Sequence, residues 1–256
     1  EKMLAEGNAD FVALGRSQLA DPAWAKKAKE GRASDIKPCI NCLIGCIDRG
    51  MLSHTPIHCT VNPSLYRFEC KPVEKAETRK QVAVVGAGPA GCEAALTASK
   101  RGHQVTIYEK RCIGGAMIEA SKPENKANIK RLIHYYEDHI MHDPNITLVK
   151  KEVEYETLVH RGYDAVIIAV GGKTRILNVP GIEKNSVIYA SDYLNGSTAV
   201  TGNTVVVIGG GITGAETALE LNAEGKKVTI VEMTDAFLAN LVPLVRHILQ
   251  RSMKQT

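Results

Sequence analysis

The sequence predicts an α/β protein in which two Rossmann-like nucleotide-binding modules follow a cysteine-rich segment. Three observations carry that reading. A strand, glycine turn, helix, strand pattern appears at QVAVVGAGPAGCEAALTASKRGHQVTIYEK and returns at TVVVIGGGITGAETALELNAEGKKVTIVEM. Aligned on Gly86 and Gly209, the two copies match over about thirty residues, so the chain contains an internal repeat. Ahead of the repeat, the stretch from Pro38 to about Cys70 gathers cysteines and shows little periodicity.

At 256 residues the chain can bury more than one core. It is 44% hydrophobic and 23% charged, with a net charge of +4. Its basic residues are scattered or in short runs such as Lys26-Lys27 and Lys150-Lys151, which read as solvated faces. A basic stripe with interleaved aromatics is missing, so no nucleic-acid partner is expected. No apolar run is long enough to span a bilayer and no signal peptide opens the chain, which points away from a membrane and to a reducing, cytoplasmic setting. There, clustered cysteines bind metal or do redox chemistry more often than they form bridges. The chain opens at Glu1 in what reads as the end of a helix and stops at Thr256 after a helical pattern around Leu244 to Leu249. Both ends read as cuts through a longer protein. Nothing in the pattern sets an oligomeric state.

In order along the chain, ADFVALGR (Ala9 to Arg16) reads as a short strand ending in Gly15-Arg16. DPAWAKKAKEG follows as a helix with Asp21 as N-cap, Pro22 at the first helical position and Gly31 at the stop. CKPVEKAETRK, from Cys70 to Lys80, is polar and reads as a linker. The first repeat copy comes next, with its helix closed by Gly102, and then a helical segment from Asn125 to His139. ITLVKKEV, YDAVIIAVGG and SVIYASDYL read as strands before the second copy. These boundaries divide the chain at 1–36, 37–79, 80–198 and 199–256.

Gly86-x-Gly88-x-x-Gly91 and Gly209-x-Gly211-x-x-Gly214 share the dinucleotide spacing. The first glycine makes the tight turn out of the strand and the second lets a pyrophosphate reach the backbone. The third lets the helix pack closely, and the helix N-terminus offers N–H groups to the phosphates. An acid closes each second strand, Glu109 in one copy and Glu232 in the other, placed to accept from a ribose 2′-OH. Two such modules suggest a flavin held permanently and a nicotinamide that exchanges. Met233 follows Glu232 with no cation beside it, so a 2′-phosphate would be repelled and NADH is favoured over NADPH.

Cys39-x2-Cys42-x3-Cys46 is followed by Cys59 after twelve residues. Four thiolates at that spacing can hold a [4Fe–4S] cluster or a tetrahedral zinc. Two nucleotide modules tilt the choice toward the cluster, because a flavin can take a hydride and pass electrons on singly. Cys92 reads as packing, and Cys70 and Cys112 as unpaired singles. The one C-x-x-C lies ahead of both modules, unlike that of a thioredoxin-reductase-like enzyme. His54 and His58 read as surface or supporting groups, and His134 and His139 lie too far around a helix to share a face.

The ordered set ADFVALGRSQLADP, PCINCLIGC, CTVNPSLYR, VAVVGAGPAG and VVVIGGGITG resembles the C-terminal portion of the family of 2,4-dienoyl-CoA reductase, 2-enoate reductases and trimethylamine dehydrogenase. The resemblance spans nearly the whole chain. It implies the tail of a (β/α)8 barrel of the old yellow enzyme type, an iron–sulfur segment, an FAD domain and a truncated nicotinamide domain. It places Gly15 and Arg16 at an FMN phosphate, and Cys39, Cys42, Cys46 and Cys59 on the cluster. Gly86, Gly88, Pro89, Ala90, Gly91, Glu109 and Lys110 fall at FAD, with Gly114 and Gly115 near its pyrophosphate and Ala169 and Gly171 closing on it. Val170 stands where the family often has Thr. Gly209, Gly211, Gly214 and Glu232 fall at NADH. Most of the barrel is missing, and with it the small-molecule substrate pocket and any proton donor. The implied activity is NADH-driven reduction of an activated C=C bond, with electrons passing from NADH to FAD, the cluster and FMN. An amine dehydrogenase is the alternative, then an electron-transfer subunit like the small subunit of glutamate synthase, then a non-enzymatic zinc-knuckle protein.

Overall fold

The computed structural model of the chain describes residues 2–65, 73–239 and 241–254. Cys70 lies outside the described residues. The chain divides into two compact units, Glu1–Pro72 and Val73–Thr256.

The N-terminal unit holds helices α1 (Lys2–Ala5), α2 (Arg16–Ala20) and α3 (Trp24–Lys29) and a wide π-type helix over Ile44–Leu52. The strand expected at Ala9 to Arg16 is not formed. Residues 9–14 are irregular, and the Phe11 side chain is 91% exposed. A strand is held by ladder hydrogen bonds, and no strand stands among the described residues of this unit to supply them. Arg16 instead opens α2. The next helix begins at Trp24, two residues later than expected, because Asp21 spends its carboxylate on a turn. Its Oδ1 accepts from the Ala23 N–H at 3.0 Å, and its Oδ2 from the Lys37 N–H at 2.9 Å and the Lys27 ammonium at 2.7 Å. Burial raises this carboxyl, but Lys27 and the N–H groups of Lys37 and Ala23 outweigh that and hold it below the usual 3.8. The π-type segment has i→i+5 bonds, Asp48 N–H to Leu43 O at 3.0 Å and Ser53 N–H to Asp48 O at 2.8 Å. That period leaves no hydrophobic signature of the usual helical kind.

In the C-terminal unit, β1 (Gln81–Val85), α4 (Pro89–Lys100) and β2 (Gln104–Tyr108) follow the expected order. α5 (Met117–Ala120), α6 (Ala127–His142), β3 (Ile146–Val149), α7 (Tyr155–His160) and β4 (Ala165–Ile168) complete the first module. The four strands form one parallel sheet in the order β3-β2-β1-β4. Val82, Ala83 and Val84 are buried on both faces, which is why β1 reads as an unbroken apolar run. Each buried Val contributes about 1.5–3 kcal/mol. The chain leaves β1 toward β2 on one side and reaches β4 on the other, so the loop after β1 opens at a topological switch point.

SVIYASDYL is not a strand. Its second half is helix α8 (Ala190–Leu194), which buries Tyr193 and Leu194 against Val207, Ala218 and Leu221. The Tyr193 hydroxyl also donates to Glu224 at 2.8 Å. Packing in the cluster overrides the β propensity of Val-Ile-Tyr. β5 (Thr204–Ile208), α9 (Ile212–Ala223) and β6 (Lys227–Val231) then repeat the first pattern as a two-stranded parallel sheet, and α10 (Pro243–Lys254) follows. No helix among the described residues is long and apolar enough to cross a membrane.

Candidate functional site: two glycine loops and a cysteine cavity

The two loops match bond for bond. Gly86 and Gly209 turn out of their strands at φ +99° and +107°, a region glycine enters freely, and each N–H donates at 2.8 Å to the carbonyl ending the neighbouring strand, Tyr108 and Val231. A Cβ on Gly91 would run into the Gly86 carbonyl oxygen, and one on Gly214 into that of Gly209. Only a bare backbone lets the helix come that close. Gly88 and Gly211 are N-caps with φ −72° and −76° and no side-chain cap bond, so the first N–H groups of α4 and α9 are left for phosphate oxygens. Pro89 occupies the first position of α4, where an N–H is dispensable, and Ala90 follows it on the exposed side.

Both acids fold back on their loops. Glu109 accepts from the Ala87 N–H and the Arg111 N–H, each at 2.7 Å. Glu232 accepts from the Gly210 N–H at 2.7 Å and from the N–H and hydroxyl of Thr234 at 2.9 Å. The Gly210 and Thr234 donors hold the Glu232 carboxyl below its usual 4.5. Lys110, expected at the cofactor, directs its ammonium to Glu152 at 2.8 Å.

The modules differ in what closes over the loop. In the first, Ala169 N–H donates to Val85 O at 2.8 Å, and the Ala169 carbonyl packs on Gly86, while Gly171 follows at φ +72°. Gly114 and Gly115 have φ +127° and +52°. Gly114 N–H donates to Ala87 O at 2.8 Å, and Gly115 lies so near Gly88 that a Cβ on it would sit 2.8 Å from the Gly88 Cα. The result is a slot walled by backbone. In the second, Leu238 N–H makes the corresponding bond to Gly210 O at 3.0 Å, and the Phe237 ring packs on Gly210. Leu238 is buried with Ala215 and Leu249.

In the N-terminal unit, Cys39, Cys42, Cys46 and Cys59 line one narrow cavity with Arg16 and His58. Asn41 and Leu43 adopt left-handed φ of 56° and 61°, curling the chain around it at a cost of about 1–2 kcal/mol each. The Asn41 N–H donates to Cys39 Sγ at 3.4 Å, and Cys42 Sγ lies 3.2 Å from the Thr60 hydroxyl. Burial pushes the Cys39 thiol up, opposed by the Asn41 N–H and the Arg16 charge. Among the described residues, no three Cys, His, Asp or Glu side chains stand close enough to hold a single metal ion.

Gly45 is a site residue that sequence reasoning missed. A Cβ there would strike the His58 carbonyl, and the His58 N–H donates to Gly45 O at 2.8 Å, so this glycine lets the Cys59 limb approach Cys46. Its signal was a glycine lying between two spaced cysteines. Asn62 ties the same limb to α2 through Leu19 O at 2.9 Å. His134 pairs with Glu137 at 3.1 Å and His139 with the Tyr135 carbonyl at 2.8 Å, and neither joins the cysteines.

This pair of glycine loops on parallel sheets defines a two-dinucleotide flavoprotein fold, and comparison with known proteins agrees. Residues 80–256 match the pyridine nucleotide-disulphide oxidoreductase family, so the chain belongs to it and carries its FAD- and NAD(H)-binding fold. The chain is 42% identical over 251 residues to NADH oxidase of Thermoanaerobacter brockii, covering 96% of this chain and 39% of that protein. It is 36% identical to cinnamate reductase of Clostridium sporogenes, covering 91% of this chain and 34% of that protein. The structure of a 2-naphthoyl-CoA reductase complex superposes over 99% of this chain and 39% of its own length, with a TM-score of 0.94 and 32% identity. These relatives are oxidoreductases, and the chain spans about two-fifths of their length or less.

Proposed function

We propose that the chain is the electron-input part of an NADH-dependent flavin and iron–sulfur oxidoreductase that reduces an activated C=C bond of an enoate or acyl-CoA. The observation that carries this reading is the convergence of four cysteines on one cavity in a chain that also holds two dinucleotide loops. A single zinc needs its ligands about 2.0–2.3 Å from one centre. In a [4Fe–4S] cluster each thiolate binds a different iron, so the sulfurs stand farther apart. The four cysteines lining one cavity suit either group, and the two dinucleotide loops in the same chain favour the cluster, because a flavin can take a hydride and pass electrons on singly.

FAD fits the first module, whose backbone-walled slot around Gly88 and Gly115 suits a pyrophosphate held for long periods. NADH fits the second, where the Glu232 carboxylate, held at the loop by the Gly210 N–H, would accept from a ribose hydroxyl and repel a 2′-phosphate. Bound together, these groups would carry electrons from a two-electron donor to a one-electron centre and on to FMN. Arg16, beside the cysteine cavity, and Gly15 are the residues offered to an FMN phosphate. The cinnamate and 2-naphthoyl-CoA reductases among the relatives favour an unsaturated acid or thioester as substrate of the whole protein over an amine.

The test is iron and acid-labile sulfide analysis of anaerobically purified chain, with electron paramagnetic resonance after reduction. About four irons and four sulfides per chain with a reduced-cluster signal are expected. One zinc per chain and no sulfide would overturn the cluster.

A further inference from the structure

We infer that Lys126 and Glu216 form a latch that fixes the angle between the two nucleotide modules and thereby sets how closely NADH is brought to FAD. The inference rests on the nucleotide assignment proposed above. Lys126 stands immediately before α6 in the first module, and Glu216 lies two residues past Gly214 in the opening turns of α9 in the second. Their side chains are ion-paired across that seam, only 25% and 12% exposed. The i,i+4 pairs Lys2–Glu6 and Lys26–Glu30 are local and exposed by comparison.

The surroundings give the pair its leverage. Glu124, Glu216 and Glu220 line a cavity of about 320 Å³ at the seam with Pro123, Asn125, Leu219 and Leu249. Without the ammonium, the Glu216 carboxylate, 12% exposed, would be left at the seam without the cation that pairs it across the two modules. Exposed pairs contribute little, but removing one partner of a shielded pair leaves an uncompensated charge. α9 starts at the phosphate loop, so a bond in its opening turns bears directly on how the second module is oriented. A displacement of about 1 Å between reacting groups costs roughly a hundredfold in rate.

The experiment compares Lys126→Met, Glu216→Gln and the double exchange Lys126→Glu with Glu216→Lys in FAD-loaded chain. Three readouts are taken: FAD content, NAD⁺ affinity and the rate of flavin bleaching by NADH. A fourth is the distance between spin labels on non-natural side chains replacing the exposed Met141 and Met233, one in each module. Lys126→Met should broaden the distance distribution and slow bleaching by about 10–100-fold, with FAD content and NAD⁺ affinity within about twofold. Glu216→Gln should do less, because the amide oxygen can still accept from the Lys126 ammonium, and the exchange should restore most of both losses. An unchanged distance distribution in Lys126→Met overturns the latch, as does a changed distribution with an unchanged bleaching rate. If the unaltered chain binds FAD and NADH without bleaching, the nucleotide assignment fails instead. The label distances then still decide whether the pair holds the modules together.

Discussion

The two nucleotide modules have the same loop and different surroundings. Gly86 and Gly209 make the same turn, Gly91 and Gly214 allow the same close approach, and Glu109 and Glu232 take the same backbone donors. Yet Val84 in β1 is fully buried within four strands, while Val206 and Ile208 in β5 are 58% and 66% exposed beside one partner strand. Loop geometry is therefore a local property of about thirty residues and does not need a complete sheet. What varies is the closure: a glycine pair in the first module, and Phe237 with Leu238 in the second. A slot walled by backbone would hold a pyrophosphate from two sides, whereas the second loop, with nothing within 4 Å of a Cβ on Gly211, would let its nucleotide leave more readily.

The strongest way to break this comparison is a methyl group on the third glycine. Gly91→Ala drives a Cβ into the Gly86 carbonyl inside a buried sheet and should cost about 3 kcal/mol, read by urea denaturation, with loss of FAD. Gly214→Ala meets the same contact at Gly209 in a two-stranded sheet that can yield, so about 1–2 kcal/mol is expected. Equal losses would mean that the surroundings do not matter.

A smaller effect sharpens the nucleotide assignment. Glu232→Gln should weaken NADH binding by about 1.5–2 kcal/mol, roughly 10–30-fold in calorimetric Kd, with FAD content unchanged. Glu109→Gln should do the reverse, shedding FAD on dialysis while NADH affinity holds.

Within the first module, thiol reactivity separates core from surface. Burial pushes the Cys92 thiol up to about 12, and Cys92 is fully buried, while Cys112 is exposed. Mass spectrometry after iodoacetamide at pH 8 should find Cys112 modified and Cys92 intact. Modification of both at similar rates would show that α4 opens readily.

The smallest expected effect is acid sensitivity at Glu232. Its carboxyl is held low by the Gly210 and Thr234 donors, so it contributes stability above the ordinary value of 4.5 and loses that contribution as pH falls through its lower folded value. The difference in thermal midpoint between the unaltered chain and Glu232→Gln should be constant from pH 7 to 5 and shrink below 4.5. A difference that grows on acidification would contradict the bonding described.

Legibility in the sequence followed the range of the interactions. β1, α4 and β2, with their counterparts β5, α9 and β6, were readable because apolar runs, glycine spacing and a closing acid all lie within one short stretch. The four cysteines were readable as a set by spacing, but Gly45 acts through His58, thirteen positions away, and was not. ADFVALGR has the composition of a strand and no ladder partner among the described residues of its unit. SVIYASDYL has β-favouring residues, but Tyr193 and Leu194 reach the second module's core only from a helical turn. Lys126 and Glu216 are ninety positions apart, and no local pattern announces such a pair.

The central claim is that the first loop holds FAD and the second receives NADH. Gly88→Ala and Gly211→Ala test it directly, since both backbones accept a side chain and the added methyl lies where a pyrophosphate would approach. Flavin content and anaerobic bleaching by NADH are measured on each. The account predicts that Gly88→Ala is depleted of flavin, whereas Gly211→Ala keeps its flavin and bleaches slowly or not at all. Flavin lost from Gly211→Ala and kept by Gly88→Ala would contradict it.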